Sequence, residues 1–215
     1  MPWDPWPPRR LVLCTPRLEL RPDDDAGLFE LADEARRGVH APEAMPFVTA
    51  WTDDDPENRA LNTLRWHWQK RAALRPESWS LEFLVRLDGR VVGTQALGAT
   101  DFAVTRGVHT GSWLGLRHQG RGIGTEMRAA VLMFAFDHLG ATHARSAAFV
   151  DNPASLRVSE KLGYRPDGTE IIARRGKLAE DVRLLLERDL FRRPDWAVEV
   201  EGLEACLPML GVSRG

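Results

Sequence analysis

The chain reads as a mixed α/β domain whose sheet is built from neighbouring hairpins rather than repeated βαβ units. Three observations predict this. Short apolar runs such as "WSLEFLVRL" and "VVGTQALGA" flank Asp88-Gly89, a strong two-residue hairpin signal. Longer stretches with helical periodicity alternate with such runs. The 215 residues suffice for one sheet covered by helices on both faces.

The elements follow in order. "MPWDPWPPRR" is a Pro/Trp-rich arm (residues 1–14) without the apolar core of a signal peptide or membrane anchor. "PRLELRPD" alternates as a first strand through Leu18 and Leu20. "DDDAGLFELADEAR" is a helix opened by aspartates, which suit its positive end. "HAPEAMPFVTAWTDDDP" is a Pro-punctuated loop carrying Met45, Phe47 and Trp51. Residues 57–74 are helical, with Leu61, Leu64, Trp68 and Ala72 on one apolar stripe. The hairpin strands come next, and a strand over 110–116 runs into a glycine-rich turn. The helix after it sets Ile123, Met127, Val131, Phe134 and His138 on one side and closes at Gly140. "ARSAAFV" is a buried strand. "NPASLRVSEKLGY" is a short helix with Asn152 as cap, Pro153 at its first position and Gly163 at its end. Strands follow near Ile171 and over 182–186. From Pro194 the chain adds an edge strand at "AVEVEG" or reaches a partner subunit. Trp68, Trp79 and Trp113 are expected in the core.

A formal charge of -2 gives no general attraction to nucleic acid or anionic membrane. No run approaches the roughly 18 apolar residues of a spanning helix. Cys14 and Cys206 lie near opposite ends without metal or redox spacing, so a cytoplasmic protein with free thiols and no metal is expected.

The turn "HQGRGIG" carries the functional signal. A helix opens with unpaired amides and about half a positive charge. Glycines let those amides approach an anion, so a strand ending in such a turn is a phosphate cradle. Spacing excludes two users of this physics. The only Gly-Lys pair, Gly176-Lys177, is followed by Leu178 and is no nucleotide-hydrolase loop. A dinucleotide Gly-x-Gly-x-x-Gly meets Thr125 or Met127 at its sixth position, which also rules out a nicotinamide-dependent oxidoreductase.

What stands here, Gln119-Gly120-Arg121-Gly122-Ile123-Gly124, resembles the Gln/Arg-x-x-Gly-x-Gly/Ala motif of the GNAT superfamily of N-acetyltransferases. Thr125-Glu126 and "DNPASLRVSEKLGY" resemble the branch that acylates ribosomal-protein N-termini, over about residues 15–190. "GVHAPEAMPF", "TGSWLGL" and "GTEMRAAVL" look like an actinobacterial subgroup that includes a mycobacterial succinyltransferase.

The resemblance implies a GNAT domain over 15–190, with a central, mostly antiparallel sheet of six to seven strands flanked by helices. Residues 191–215 are then an extension, an edge strand or a dimer contact. It implies transfer of an acyl group, succinyl or acetyl, from acyl-coenzyme A directly to a primary amine of a small molecule or peptide. In that scheme Gln119, Gly120, Arg121, Gly122, Ile123, Gly124 and Thr125 cradle the pyrophosphate, with Arg117 also in reach. The backbone N–H of Leu114 or Gly115 holds the developing oxyanion, and Asn152 and Ser155 meet the pantetheine arm and thiolate. Relatives carry a tyrosine, as acid for the thiolate, where this chain has Ser159; Ser155 is the branch's substitute. They carry a glutamate where this chain has His109, a residue fit to accept a proton near neutrality. Glu82, Asp101 and His40 are alternative bases, Glu82 and Asp101 being read more simply as exposed or hairpin-facing. His40, Phe47 and Trp51 line the acceptor pocket, with the helix bearing Trp66, His67 and Trp68. His40, Arg106 and His109 supply cations for a succinyl carboxylate. The competing reading is a catalytically silent acyl-CoA-binding sensor, which keeps the glycine turn but tolerates loss of His109 and Ser155.

Overall fold

The structure is a computed structural model and describes residues 4–22 and 24–212. The first three residues of the arm, Asp23 of the aspartate run and the last three of the C-terminal extension lie outside the described residues. The strands are β1 (Val12–Cys14), β2 (Leu18–Arg21), β3 (Ser78–Leu87), β4 (Arg90–Thr100), β5 (Gly107–Leu114), β6 (His143–Phe149), β7 (Arg165–Arg174), β8 (Lys177–Glu187) and β9 (Glu199–Glu201). They form one nine-stranded sheet in the order β7-β8-β6-β5-β4-β3-β2-β1-β9. Every neighbouring pair is antiparallel except β5 and β6. The mixed, mostly antiparallel sheet is as expected. It exceeds the expected six to seven strands through the short strands β1 and β9, in which Leu13 faces Val200. The tail therefore closes this chain's own sheet edge. Leu203, Cys206, Leu207 and Leu210 are buried beside it, and the Trp79 indole donates to the Leu210 carbonyl at 3.0 Å.

Alternate residues of β3 divide the molecule into two layers. Leu84 packs with Leu28 and Leu31 of α1 (Asp25–Arg37), which Asp24 caps by accepting from the Gly27 amide. α2 (Pro56–Ala73) lies beside α1. Phe83 and Val85 face the other way, into the main core, where Phe83 meets Phe134 edge to face at 6.2 Å. That layer holds α4 (Ile123–Met133), extended by a wider turn over Phe134–Leu139, and α5 (Pro153–Leu162). A single helical turn, α3 (Phe102–Thr105), links β4 to β5. The β3–β4 hairpin turns at Asp88 and Gly89, both with positive φ, as two-residue hairpins require.

Four expectations need correction. Of the stripe Leu61, Leu64, Trp68 and Ala72, Leu64 is half-buried against the Leu28–Leu31 cluster while the other three face solvent, and α2 buries Thr63 and His67. The sheet surface beneath α2 carries Ser80 and Glu82, so the inner side of the helix is the polar one. Of the tryptophans expected in the core, Trp79 is buried, Trp113 is half-buried and Trp68 is exposed. The expected buried strand "ARSAAFV" alternates, with Ala144 and Ala148 buried and Arg145 and Ala147 exposed. His138 likewise lies outside the buried side of its helix.

Candidate active site

β5 and β6 pair only from Gly107–His143 to His109–Arg145. Beyond that point the two parallel strands part, while β5 stays paired to β4 up to Leu114. The Gly115 amide donates to Val92 of β4 at 2.9 Å. By the alternation of a strand, Leu114 turns its N–H the other way, into the wedge left by β6. Of the two expected oxyanion donors, Leu114 faces the wedge and the Gly115 amide is already engaged.

The glycine turn caps this wedge. Gly120 and Gly122 have φ of 73° and 78°, the left-handed region that favours glycine. Among the described residues, no acceptor bonds the amides of the five successive residues from Gly120 to Gly124. A Cβ at Gly120 would meet nothing within 4 Å, and one at Gly122 would meet only the Arg17 guanidinium, at 3.5 Å. Such a concave run of N–H groups at a helix start fits the pyrophosphate of coenzyme A. Gly124 looks into the wedge: a Cβ there would lie 3.8 Å from Val158 of α5 and 3.9 Å from Leu114.

Several neighbours expected to touch phosphate also bond within the frame. The Gln119 amide group donates to the carbonyls of Val39 and Leu114, at 2.7 and 3.0 Å, tying the chain after α1 to the end of β5. Arg117 pairs with the buried Glu34 of α1. Arg121 is exposed, and the Thr125 amide returns to the Gly122 carbonyl. Glu126 of the Thr-Glu signature accepts from the Thr15 hydroxyl at 2.6 Å and from Arg17 Nε at 2.6 Å, fastening the β1–β2 turn to α4. Arg17 also donates to the Arg121 carbonyl at 3.3 Å and reaches toward Gly122. This cation beside the cradle was not evident from sequence spacing.

Along the wedge, Asn152 caps α5 by accepting from the Ser155 amide at 3.2 Å. Its amide nitrogen and the Ser155 hydroxyl have no partner among the described residues. Ser159, in the tyrosine position, is buried; its hydroxyl donates to the Ser155 carbonyl at 3.0 Å and accepts from Arg128 at 2.9 Å. Arg128 bridges to the Ser112 hydroxyl of β5 at 3.1 Å. Sequence reasoning passed over Arg128, although it is the one charge in the apolar run 127–136.

The opposite face of β5 presents His109, Gly111 and Trp113 in a row. Gly111 has open space above it. Trp113 stacks in a chain of rings to Trp51, Phe47 and His40, with centroids 5.7, 5.2 and 5.9 Å apart. The loop bearing these rings is held across to the β7–β8 hairpin: Arg174 donates to the Met45 carbonyl at 2.9 Å and Arg175 pairs with Asp53. His40 is committed within that loop. Its Nδ1 donates to the Ala41 carbonyl at 2.8 Å, which leaves Nε2, in the neutral ring, to accept the Thr52 hydroxyl at 2.6 Å. His40 therefore organises the pocket and is a poor candidate for a base.

His109 stands where β5 and β6 begin to part. Its ring rests on Gly98 of β4, where any Cβ would overlap it. Burial against the sheet, and then the positive charge of Lys70, lower its pKa below the ordinary imidazole value. Glu82, expected to be exposed or hairpin-facing, is 8% exposed, and burial raises its pKa while Ser80 donates to it at 2.7 Å. His67 lies under α2 in the same cavity, its pKa pushed down by burial to about 4. Asp101 is exposed in the left-handed region before α3. Arg106 lies just before β5 over the Phe102 ring, at the end of the strand away from the glycine turn.

No helix among the described residues is long and apolar enough to cross a membrane, and no cluster there of three or more His, Cys, Asp or Glu could hold a metal ion. The fold is shared with solved acetyltransferases. RimJ from Mycobacterium smegmatis, in complex with CoA-disulfide, matches with a TM-score of 0.65 at 20% identity, over 85% of this chain and 88% of that one. Ribosomal-protein-S5-alanine acetyltransferase from Vibrio fischeri matches at 0.64 and 16%, over 84% and 98%. Spermidine N-acetyltransferase from Vibrio cholerae, in complex with CoA and spermine, matches at 0.59 and 15%, over 82% and 98%. The profile of the acetyltransferase (GNAT) domain matches residues 17–165, spanning the glycine turn, the wedge and both faces of β5; the chain belongs to the GNAT acetyltransferase family.

Proposed function

We propose that this protein is an acyl-CoA-dependent N-acyltransferase that moves an acetyl or succinyl group to a primary amine of a small molecule or peptide within a ternary complex. The observation that carries this reading is the run of five free amides, Gly120 to Gly124, at the head of a wedge between parted strands. The donor's phosphates sit on those amides, and its arm lies along β5 toward Ser155. The Leu114 N–H then meets the oxygen that becomes negative as the amine attacks. The amine arrives over Gly111, between His109 and the Trp113–Trp51 rings. His109, neutral at pH 7 by its lowered pKa, takes the amine's proton directly or through one water. Of the three cations expected near a succinyl carboxylate, His109 is the one that borders the wedge, and as the neutral base it would offer that carboxylate an N–H rather than a charge.

The test is a thiol-release screen of diverse amines against acetyl-CoA and succinyl-CoA. Release with at least one amine, abolished by bulk at Gly124, supports the reading. Tight coenzyme A binding with no release from any amine would instead favour a silent sensor. The ratio of kcat/KM for the two donors with one amine settles the acyl group.

A further inference from the structure

Arg128 is a cation without an anion. It is 4% exposed, its Nε is buried with no partner, and its two terminal nitrogens bond only the Ser159 and Ser112 hydroxyls. Among the described residues no carboxylate oxygen lies within 4 Å of it. The groups around it are neutral or engaged. Tyr164, at the end of α5, shares its hydroxyl with Thr110 at 3.2 Å and is itself fully buried. Gln95 of β4, paired with Ser112 in the sheet, is amide rather than acid. Glu126 on the same helix is spent on Arg17 and Thr15. A guanidinium held in this way is costly unless an anion joins it.

Its place in the fold says which anion. Arg128 follows Gly124 by four residues, so both lie on the side of α4 that faces the wedge between β5 and α5. An arm anchored by its phosphates at Gly120–Gly124 and laid along that wedge brings its sulfur end over Ser155, Ser159 and Arg128. In acyl transfer the amine nitrogen bonds the acyl carbon, the carbon–sulfur bond breaks, and the sulfur keeps the electron pair. Ser159 has no spare proton for it, since its hydroxyl already donates to the Ser155 carbonyl.

We propose that Arg128 is the counter-charge for the departing coenzyme A thiolate, stabilising it electrostatically beside the free Ser155 hydroxyl. This rests on the acyl-CoA reading above. It requires the thiol of bound coenzyme A to ionise more readily than that of free coenzyme A.

That property is measurable without knowing the acceptor. Thiolate absorbance of coenzyme A bound to the full-length protein is followed against pH, as a difference from protein alone. Burial raises the pKa of Cys14 and pushes that of Cys206 up to about 12, and the difference from protein alone removes what remains of their titration. The expected result is a bound thiol titrating at least one pH unit, or tenfold, below free coenzyme A. In Arg128→Met it returns to the free value, while affinity for acetyl-CoA, which carries no thiolate, changes less than about threefold. Arg128→Lys keeps part of the shift. If Arg128→Met does not fold, Ser112→Asp gives the guanidinium a carboxylate from β5 and is expected to abolish the shift in the same way. An unshifted thiol in the parent, or an equal shift in parent and Arg128→Met, overturns the proposal. Loss of succinyl-CoA binding alone in Arg128→Met, with the thiol titration unchanged, overturns it in favour of an acyl carboxylate. Failure of the parent to bind any coenzyme A ester overturns the acyl-CoA reading as well, a distinct outcome.

Discussion

On the α4 side of β5, the groups that would hold the donor are backbone amides, a capped helix and residues within a few turns of one another. On the α2 side, the groups that would receive the amine come from a loop, a distant hairpin and single side chains. His109 and Trp113 belong to β5, Phe47 and Trp51 to the loop after α1, and the Arg174 and Arg175 anchors to the β7–β8 turn. One face takes its shape from the local geometry of the glycine turn and the α5 cap, braced at long range by Gln119 and Glu126. The other is fixed by long-range contacts that can be exchanged without disturbing the sheet. On the proposed reading a single strand would carry the donor site on one face and the acceptor site on the other, and each face should be breakable without the other.

The sharpest break is at His109. His109→Ala should lower turnover by about 100-fold, the low end of a general-base contribution and about 2.7 kcal/mol, with donor affinity unchanged. The parent's acid limb should fall below the ordinary imidazole range. Only the neutral ring accepts a proton, and burial with Lys70 lowers its pKa, so activity is retained until the pH drops through that lowered value. Calorimetry with acetyl-CoA and a pH–rate profile check both parts. A variant whose profile overlays the parent's would move the base elsewhere.

Glu126 tests the opposite face through the frame. It is 9% exposed and accepts from Thr15 and Arg17, so Glu126→Gln removes charge-assisted bonds that hold the β1–β2 turn against the glycine loop. A stability loss of about 2 kcal/mol is expected in urea unfolding. Donor affinity should weaken with it, because Arg17 is released from beside Gly122. Loss of stability with donor affinity intact would show that the cradle holds its shape without this anchor.

Gly124→Glu addresses the cradle itself. Its side chain would enter the wedge between Leu114 and Val158 and place a carboxylate near the phosphates. Donor affinity should fall at least tenfold, about 1.4 kcal/mol, in calorimetry. The melting temperature should hold, since Gly124 lies outside the left-handed region.

The same contrast explains what could be read from sequence. The glycine turn, the Asn152 cap and the Asp88-Gly89 hairpin are local signals, and each stands where spacing puts it. The parting of β5 from β6 leaves no local trace, since it follows from where β8 and α5 sit. Composition misled at α2, because an apolar stripe normally turns inward, and here the surface it covers carries Ser80 and Glu82. Gln119 and Glu126 were legible as motif residues, but their frame-holding bonds to Val39 and Arg17 span 80 and 109 residues. Arg128 needed three dimensions: only the contacts to Ser112 and Ser159 show that a lone charge in an apolar helix has no counter-ion.

The smallest expected effect concerns the proposed acceptor face. Trp51 is half-buried between Phe47 and Trp113, and it is the ring that connects the loop to β5. Trp51→Leu keeps apolar volume but removes both ring contacts, each worth about 0.5–1.5 kcal/mol where rings pack well. The loop keeps its other fastenings, His40 to Thr52, Arg174 to Met45 and Arg175 to Asp53, so its path should survive. The loss should then appear as a rise of about fivefold in KM for the best amine found by thiol release, with kcat and donor affinity within about twofold of the parent. If kcat falls instead while KM holds, Trp51 positions the amine for attack rather than binding it, and the acceptor site would be as rigidly built as the donor site. A change in donor affinity would join the two faces and undo the separation drawn between them.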